Sequence, residues 1–297
     1  MRLNIVGQGA IGSLIAAQAY HTSVPCRVFT RANGPRIKVS LFQGISITLP
    51  EAFAESAKLT QNDCLLLPLK VHQLHAALKQ WQPFLHPDSP VVLLHNGMGG
   101  YEAAQELGIV QPIYSVTTRQ AAMKVSSRET RQTGMGESLI GRWARPGEPD
   151  AHDKSVLKLL SACLPELHWH PQVAQAFWNK LAINAVINPL TALNDIQNGG
   201  LLSPAYQQLI ARLSGEIAQV ISACSHPLSA SELQAQIYQV ARATADNYSS
   251  MHQDVAHQRP TEIAGINGYL IAQAKKKGID VPANALLVSQ IHALTQQ

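Results

Sequence analysis

Five short apolar runs stand out in the first half of the chain: Leu3–Val6, Cys26–Phe29, Cys64–Leu67, Val91–Leu94 and Ile113–Val116, each bounded by Gly, Pro, Asn or Asp. Helix-length segments separate them. Apolar runs without alternation fit strands buried on both faces, so the pattern predicts a parallel sheet with helices on each side. After Gly141 no further strand is predicted, and Pro146-Gly147-Glu148-Pro149 reads as a linker. Beyond it the pattern is helical. Ser229 and Glu232 form a capping-box start ahead of Leu233, Ile237 and Val240, while Lys275, Lys276 and Lys277 before Gly278 read as a helix end. The expected class is α/β: a doubly wound domain over residues 1–148, then an all-helical domain over residues 149–297.

The turn after the first run sharpens that reading. Gly7-Gln8-Gly9-Ala10-Ile11-Gly12 follows a strand and opens a helix. In such a turn the first glycine allows the tight bend, the second lets backbone N–H groups approach a pyrophosphate, and the third lets helix pack on strand. The helix N-terminus adds its positive dipole end. The N-terminal domain is therefore expected to be Rossmann-like and to hold a dinucleotide, a structural glycine turn being the plain alternative. An NAD-specific site would place an acid at the end of the second strand. Phe29-Thr30-Arg31 stands there instead. A guanidinium suits a 2′-phosphate and favours NADP, against the alternative of an ordinary surface arginine.

Composition narrows the partners. Of 297 residues, 46% are apolar and 14% charged, which excludes disorder, and the net charge of +4 comes with no dense Lys/Arg stripe. Nucleic acid is not an expected partner. The start, Met1-Arg2 and an apolar run to Ala17-Gln18-Ala19, mimics a signal peptide, but Asn4, Gln8 and the glycines suit a strand and turn better. No run approaches the ~18 apolar residues of a membrane span. A cytoplasmic protein is expected. The four cysteines are scattered, without a C-x-x-C pair, and neither His168 with His170 nor His72 with His75 has a Cys or carboxylate at ligand spacing. No metal is expected.

The segment from Trp178 to Leu193 carries the most chemistry. Lys180, Asn184 and Asn188 recur every four residues in an otherwise almost wholly apolar helix, placing a cation and two amides on one face over about 12 Å. Such a lysine either snorkels to solvent or meets a polar cleft. Hydride arriving at a ketone carbon leaves negative charge on its oxygen, and an ammonium can stabilise that charge and donate the proton.

Gly7 to Gly12, His95-Asn96-Gly97-Met98-Gly99, the Trp178 to Leu193 segment, Asn247-Tyr248-Ser249-Ser250-Met251, Arg259-Pro260-Thr261-Glu262-Ile263 and Gly265-Ile266-Asn267-Gly268 together resemble the ketopantoate reductase family along essentially the whole chain. The resemblance implies a Rossmann domain joined to a helical domain, and NADPH-dependent reduction of 2-dehydropantoate to (R)-pantoate on the way to pantothenate and coenzyme A. It implies Lys180 as general acid with Glu262 beside it in the catalytic set. Asn96, Asn184, Asn188, Asn198, Asn247 and Ser250 are then expected to bind substrate. Gly7 to Gly12, Arg31, Lys70, Asn96, Ala122 and Glu262 are expected to meet the cofactor. The expected assembly is a monomer or homodimer acting on a small 2-oxo acid. Two places depart from the family: the stretch from Thr117 to Gln132 lacks an Asp-Gly turn, and Ala264 stands where many relatives have Asp. They bear on cofactor contacts near Ala122 and on local loop geometry.

Ser and Asn donors suit the carboxylate of a keto acid, whereas Glu262 cannot favour an anion and would instead accept from the 4-hydroxyl. Two other functions remain open at this level. One is reduction or oxidation of another small 2-oxo or 3-hydroxy acid. The other is a non-catalytic NADP-binding regulatory protein, against which the joint presence of Lys180 and Glu262 stands.

Overall fold

The computed structural model describes residues 1–32, 34–42 and 44–295. Its contacts divide the chain into one compact unit of Met1–His95 with Gly100–Ala176 and another of Asn96–Gly99 with Phe177–Gln297.

The first unit contains β1 (Arg2–Val6), α1 (Ala10–His21), β2 (Cys26–Phe29), β3 (Ile37–Ser40), β4 (Ser46–Leu49), β5 (Asp63–Pro68), α2 (Val71–Trp81), β6 (Val91–Leu94), α3 (Gly100–Glu106), β7 (Ile113–Thr118), β8 (Ala121–Ser126), β9 (Glu129–Gly134), β10 (Ser138–Gly141), α4 (Ala151–Ser161) and β11 (Leu167–Trp169). All five predicted strands form, and they lie parallel in a seven-stranded sheet of order β11-β10-β7-β6-β5-β1-β2. Along β5 and β6, Cys64, Leu66, Val92 and Leu94 join one buried cluster, while Leu65, Leu67, Val91 and Leu93 join another. Successive side chains thus bury on opposite faces, at about 1.5–3 kcal/mol for each large apolar side chain. This is the double burial that the unalternating runs imply. Strand order reverses at β1, flanked by β2 and β5, so the carboxyl end of β1 is where such a sheet binds ligands.

Two features differ from the sequence expectation. A second sheet, β4-β3-β9-β8, forms from short segments that alternate or, in β9, lack apolar residues altogether. In β9 (Glu-Thr-Arg-Gln-Thr-Gly) it is Thr130 and Gln132 that point inward, so the period of two is written in polar residues and an apolar count passes over it. The strands also do not end at Gly141: β11 pairs parallel with β10, which itself runs antiparallel to β7. The Pro146–Pro149 stretch is fastened to the chain after β11, with Gly147 N–H donating to Pro171 O at 2.8 Å and Trp169 Nε1 to Gly147 O at 2.9 Å. The first unit accordingly runs to Ala176, beyond the boundary expected at 148/149.

Three cysteines lie in this unit. Burial pushes the Cys26 thiol up to about 11, and those of Cys64 and Cys163 up to about 12, so none ionises at neutral pH.

The second unit is helical: most of α5 (Val173–Asn194), then α6 (Gln207–Ala223), α7 (Ala230–Ala243), α8 (Ser250–Ala256), α9 (Asn267–Lys277) and α10 (Pro282–Thr295). The predicted capping box starts α7, with Glu232 N–H donating to Ser229 Oγ at 3.2 Å and Ser229 N–H to Glu232 Oε2 at 3.0 Å. Gly278 ends α9 at φ 67°, the left-handed conformation glycine tolerates. Pro189 sits inside α5, where it withdraws the N–H that the carbonyl of Ala185 would accept, at a cost of about 3 kcal/mol unless another donor takes over. No described helix is long and apolar enough to cross a membrane.

Candidate functional site

In the first unit the site is built at the carboxyl end of β1. Gly7 takes φ 108°, closed to other residues without strain. At Gly12 a Cβ would strike the Gly7 carbonyl oxygen and stand 3.1 Å from Pro68 Cγ, so only glycine lets α1 start this close to the turn. A Cβ at Gly9 would meet nothing. Gly9 is the N-cap of α1, no side chain caps it, and the first turn holds no acid, so the positive end of the helix carries no opposing charge of its own. Gln8 reaches the loop after β2, donating to Pro35 O at 3.4 Å. Arg31 is exposed at the start of that loop. Lys70 ends the turn between β5 and α2, where Gln73 Oε1 accepts from its N–H at 3.3 Å, and the preceding Leu69 packs within 2.7 Å of where a Gly7 Cβ would be. Ala122 lies on β8, half-buried against the core beneath α1. An uncapped helix start, a glycine cradle and an exposed guanidinium fit a phosphorylated dinucleotide.

The second unit gathers the other candidates. Trp178, buried, anchors the start of its share of α5 with ring contacts of 5.9 Å to His226 and 5.8 Å to Tyr269. Lys180 and Asn184 are half-buried and Asn188 is buried, in line along α5. Asn96 and Glu262 meet: Asn96 Nδ2 donates to Glu262 Oε2 at 3.4 Å, and the carboxylate is only 8% exposed. Beside them Met98 N–H donates to Gly265 O at 3.0 Å, and Gly97 at φ 75° brings its Cα where a Cβ would lie 2.6 Å from that same oxygen. Asn247 and Ser250 are both exposed, flanking the start of α8. Asn198 is buried; its N–H donates to Asn247 O and its side-chain amide to Thr244 Oγ1, both at 2.9 Å.

Several supports escaped sequence reasoning. Thr191 Oγ1 donates to Ser249 Oγ at 2.7 Å, and Ser249 caps α8, so the helix start bearing Ser250 is pinned to α5 three residues from Asn188. Gln132 Nε2 donates to Gln120 Oε1 at 3.0 Å, and Gln120 in turn donates to Gly136 O and Pro165 O, which organises the stretch that departs from the family pattern. Each pair joins ordinary polar residues far apart in sequence, which no local motif marks. Among the described residues no three His, Cys, Asp or Glu side chains gather to hold a metal ion.

Comparison with known proteins found matches in both halves of the chain. Residues 3–145 match the family described as "Ketopantoate reductase PanE/ApbA", and residues 172–295 match its "C terminal" domain. The chain is 34% identical to a 2-dehydropantoate 2-reductase of Vibrio cholerae over 296 residues, covering 100% of this chain and 98% of the relative. It is also 34% identical to one of Escherichia coli O157:H7 over 294 residues, covering 98% and 94%. Among solved structures, a D-mandelate dehydrogenase with NADH and anilino(oxo)acetate shares the fold at a TM-score of 0.86 and 21% identity, with 100% and 99% covered. A ketopantoate reductase from Ralstonia eutropha shares it at 0.86 and 20%, with the same coverage. With both of its halves matched and full-length relatives above 30% identity, the chain belongs to the ketopantoate reductase family.

Proposed function

We propose that this protein is an NADPH-dependent 2-dehydropantoate 2-reductase, forming (R)-pantoate for pantothenate and coenzyme A synthesis. The observation that carries the reading is the meeting of Asn96 with the buried Glu262 carboxylate in the unit that also bears Lys180 on α5. A carboxylate held this way is a strong acceptor for a neutral hydroxyl and a poor neighbour for an anion. It suits the 4-hydroxyl of 2-dehydropantoate.

The Gly7–Gly12 turn and the start of α1 would hold the pyrophosphate through backbone N–H groups and Arg31 would take the 2′-phosphate, while Lys70 from the first unit and Asn96 from the second would contribute contacts to the ribose and nicotinamide. Ala122 and Glu262 complete the cofactor contacts. When bound, NADPH supplies the hydride that the ketone carbon accepts. Lys180 donates its proton to the ketone oxygen as charge develops there, and its ammonium lowers the barrier before transfer is complete. Asn184 and Asn188 orient the keto acid along α5. Ser250 and Asn247 donate to the substrate carboxylate, and Asn198, whose own amide is engaged with Thr244, holds the backbone of Asn247 in place. The protein acts alone or as a homodimer in the cytoplasm.

The test follows nicotinamide absorbance with NADPH and a panel of 2-oxo acids, including an aryl one. Turnover fastest with 2-dehydropantoate supports the assignment. A preference for another 2-oxo acid reassigns the substrate, and NADPH binding without turnover of any replaces catalysis by a binding role.

A further inference from the structure

Pro189 deprives the Ala185 carbonyl of its helical donor, and a side chain from elsewhere in the second unit replaces it. Asn267, fully buried at the start of α9, donates from Nδ2 to Ala185 O at 2.8 Å. The same Nδ2 donates to Asn284 Oδ1 at 3.1 Å, and Asn284 Nδ2 donates to Glu216 Oε2 at 2.8 Å. Glu216, on α6, also accepts the N–H groups of Ala283 at 2.8 Å and Asn284 at 3.0 Å at the start of α10. A continuous relay, buried at Asn267 and Asn284 and half-buried at Glu216, therefore runs from the broken turn of α5 through α9 and α10 to α6.

Its position in the chain matters. Asn184 and Asn188 directly precede Ala185 and Pro189, so the turn whose carbonyl Asn267 satisfies is the one that displays both amides. Glu262 lies five residues before Asn267, joined to it by the short helical turn Ile263–Gly265. One buried amide thus ties the segment holding Glu262 to the turn holding Asn184 and Asn188. A buried amide with both protons directed at fixed acceptors has one orientation, and removing it takes the donor from two buried acceptors.

We infer that Asn267 is a positioning residue for the reductase reaction: by supplying the donor that Pro189 removes, it fixes the α5 turn bearing Asn184 and Asn188 relative to Glu262. The inference rests on the reading of the site proposed above. It requires that the effect of Asn267 on turnover depend on Pro189, which a general contribution to stability does not.

The experiment is a double-mutant cycle on the full chain, well below the melting temperature of each variant, reading kcat/KM for 2-dehydropantoate, the Kd of NADPH, and Tm. Asn267→Ala is expected to lower kcat/KM about tenfold with NADPH affinity within about twofold of the parent. In the Pro189→Ala background the same replacement is expected to cost less than about threefold, because the N–H restored at position 189 reaches the Ala185 carbonyl. Equal costs in the two backgrounds, or a loss confined to Tm, overturns the inference. Should Asn267→Ala fail to fold, Asn284→Ala keeps Asn267 in place while removing the acceptor that orients its amide. A loss of about threefold in kcat/KM, smaller in the Pro189→Ala background, supports the relay, and no loss overturns it. Lys180→Ala, assayed alongside, separates the two claims: if it is fully active the reading of the site fails, whereas an inactive Lys180→Ala beside an additive cycle removes only the role of Asn267.

Discussion

Asn96 and Glu262, separated by 166 positions in sequence, are joined by a hydrogen bond of 3.4 Å, and the backbone contact of Gly97 with Gly265 is what permits it. Gly97 adopts φ 75° and leaves no space for a Cβ against the Gly265 oxygen. Gly97→Ala is therefore expected to destabilise the second unit by about 1–3 kcal/mol and to raise KM for the keto acid several-fold. The Gly7–Gly12 turn lies in the first unit and is untouched, so any loss of NADPH affinity should be confined to the contacts of Asn96 and Glu262 and stay within a few-fold. Urea titration with steady-state kinetics decides it, and an unchanged KM would show that the Asn96 contact does not shape the pocket.

Glu262 should discriminate by the substrate hydroxyl. Glu262→Ala removes an acceptor that only a hydroxylated keto acid uses, so the loss in kcat/KM should be larger for 2-dehydropantoate than for the dimethyl keto acid lacking the hydroxyl. The difference should approach the roughly 1.5–3 kcal/mol of a hydrogen bond to a charged group. Equal losses on the two substrates would point to a structural role.

Arg31 should set cofactor preference. No acidic residue stands at the end of β2, and the guanidinium at the start of the following loop is exposed. The parent should bind NADPH more tightly than NADH, and Arg31→Ala should narrow that gap by about 1.5–3 kcal/mol. Fluorescence titration of both cofactors against both proteins is sufficient. Equal affinities in the parent would remove Arg31 from the site.

These predictions divide by how visible their residues are in the sequence. The β1–α1 glycine turn is local, six residues whose spacing is dictated by one bend, and Leu3–Val6 and Val91–Leu94 are apolar throughout because both faces of their strands are covered. Thr130 and Gln132, facing inward from β9, carry the same structural information in polar side chains, where apolar counting finds no strand. The same holds at the site. Lys180, Asn184 and Asn188 declare themselves by helical spacing, while the bonds of Asn267 to Ala185 and of Thr191, on the same helix, to Ser249 are settled only by packing. Pro189 was the one local hint, since a proline within a helical pattern obliges some group to take up a carbonyl.

Acid stability should depend on Asp63. This buried carboxylate accepts from Arg2 Nε at 2.7 Å, Arg2 Nη2 at 3.0 Å, Asn4 Nδ2 at 3.0 Å, Thr60 N–H at 2.9 Å and Thr60 Oγ1 at 2.8 Å. Burial alone would raise its pKa, but those bonds outweigh it and hold the group well below the usual carboxylate range. A pKa lower in the folded than in the unfolded chain contributes stability above the unfolded value of about 3.9, and that stability is lost as pH falls from there toward the folded value. Urea midpoints should drop steeply below about pH 4 in the parent and less steeply in Asp63→Asn, which starts from a lower midpoint at pH 7. Parallel acid limbs would assign the acid transition to other carboxylates.

Removing Lys180 should damage chemistry far more than binding. The residue lies half-buried on α5, two positions after the buried Trp178, and its ammonium needs no change in the first unit to be lost. A positioned acid contributes about 10² to 10⁴ in rate, or roughly 3 to 5 kcal/mol of barrier. Lys180→Ala should lower kcat by that order while NADPH affinity stays within a few-fold, because the phosphate turn is built from β1 and α1. Two rival roles give different signatures. A lysine that merely snorkels leaves kcat unchanged; a structural lysine lowers Tm and cofactor affinity together. Measuring kcat, Tm and NADPH affinity on one preparation separates the three, and a folded, cofactor-binding Lys180→Ala protein with undiminished kcat would exclude Lys180 as the proton donor.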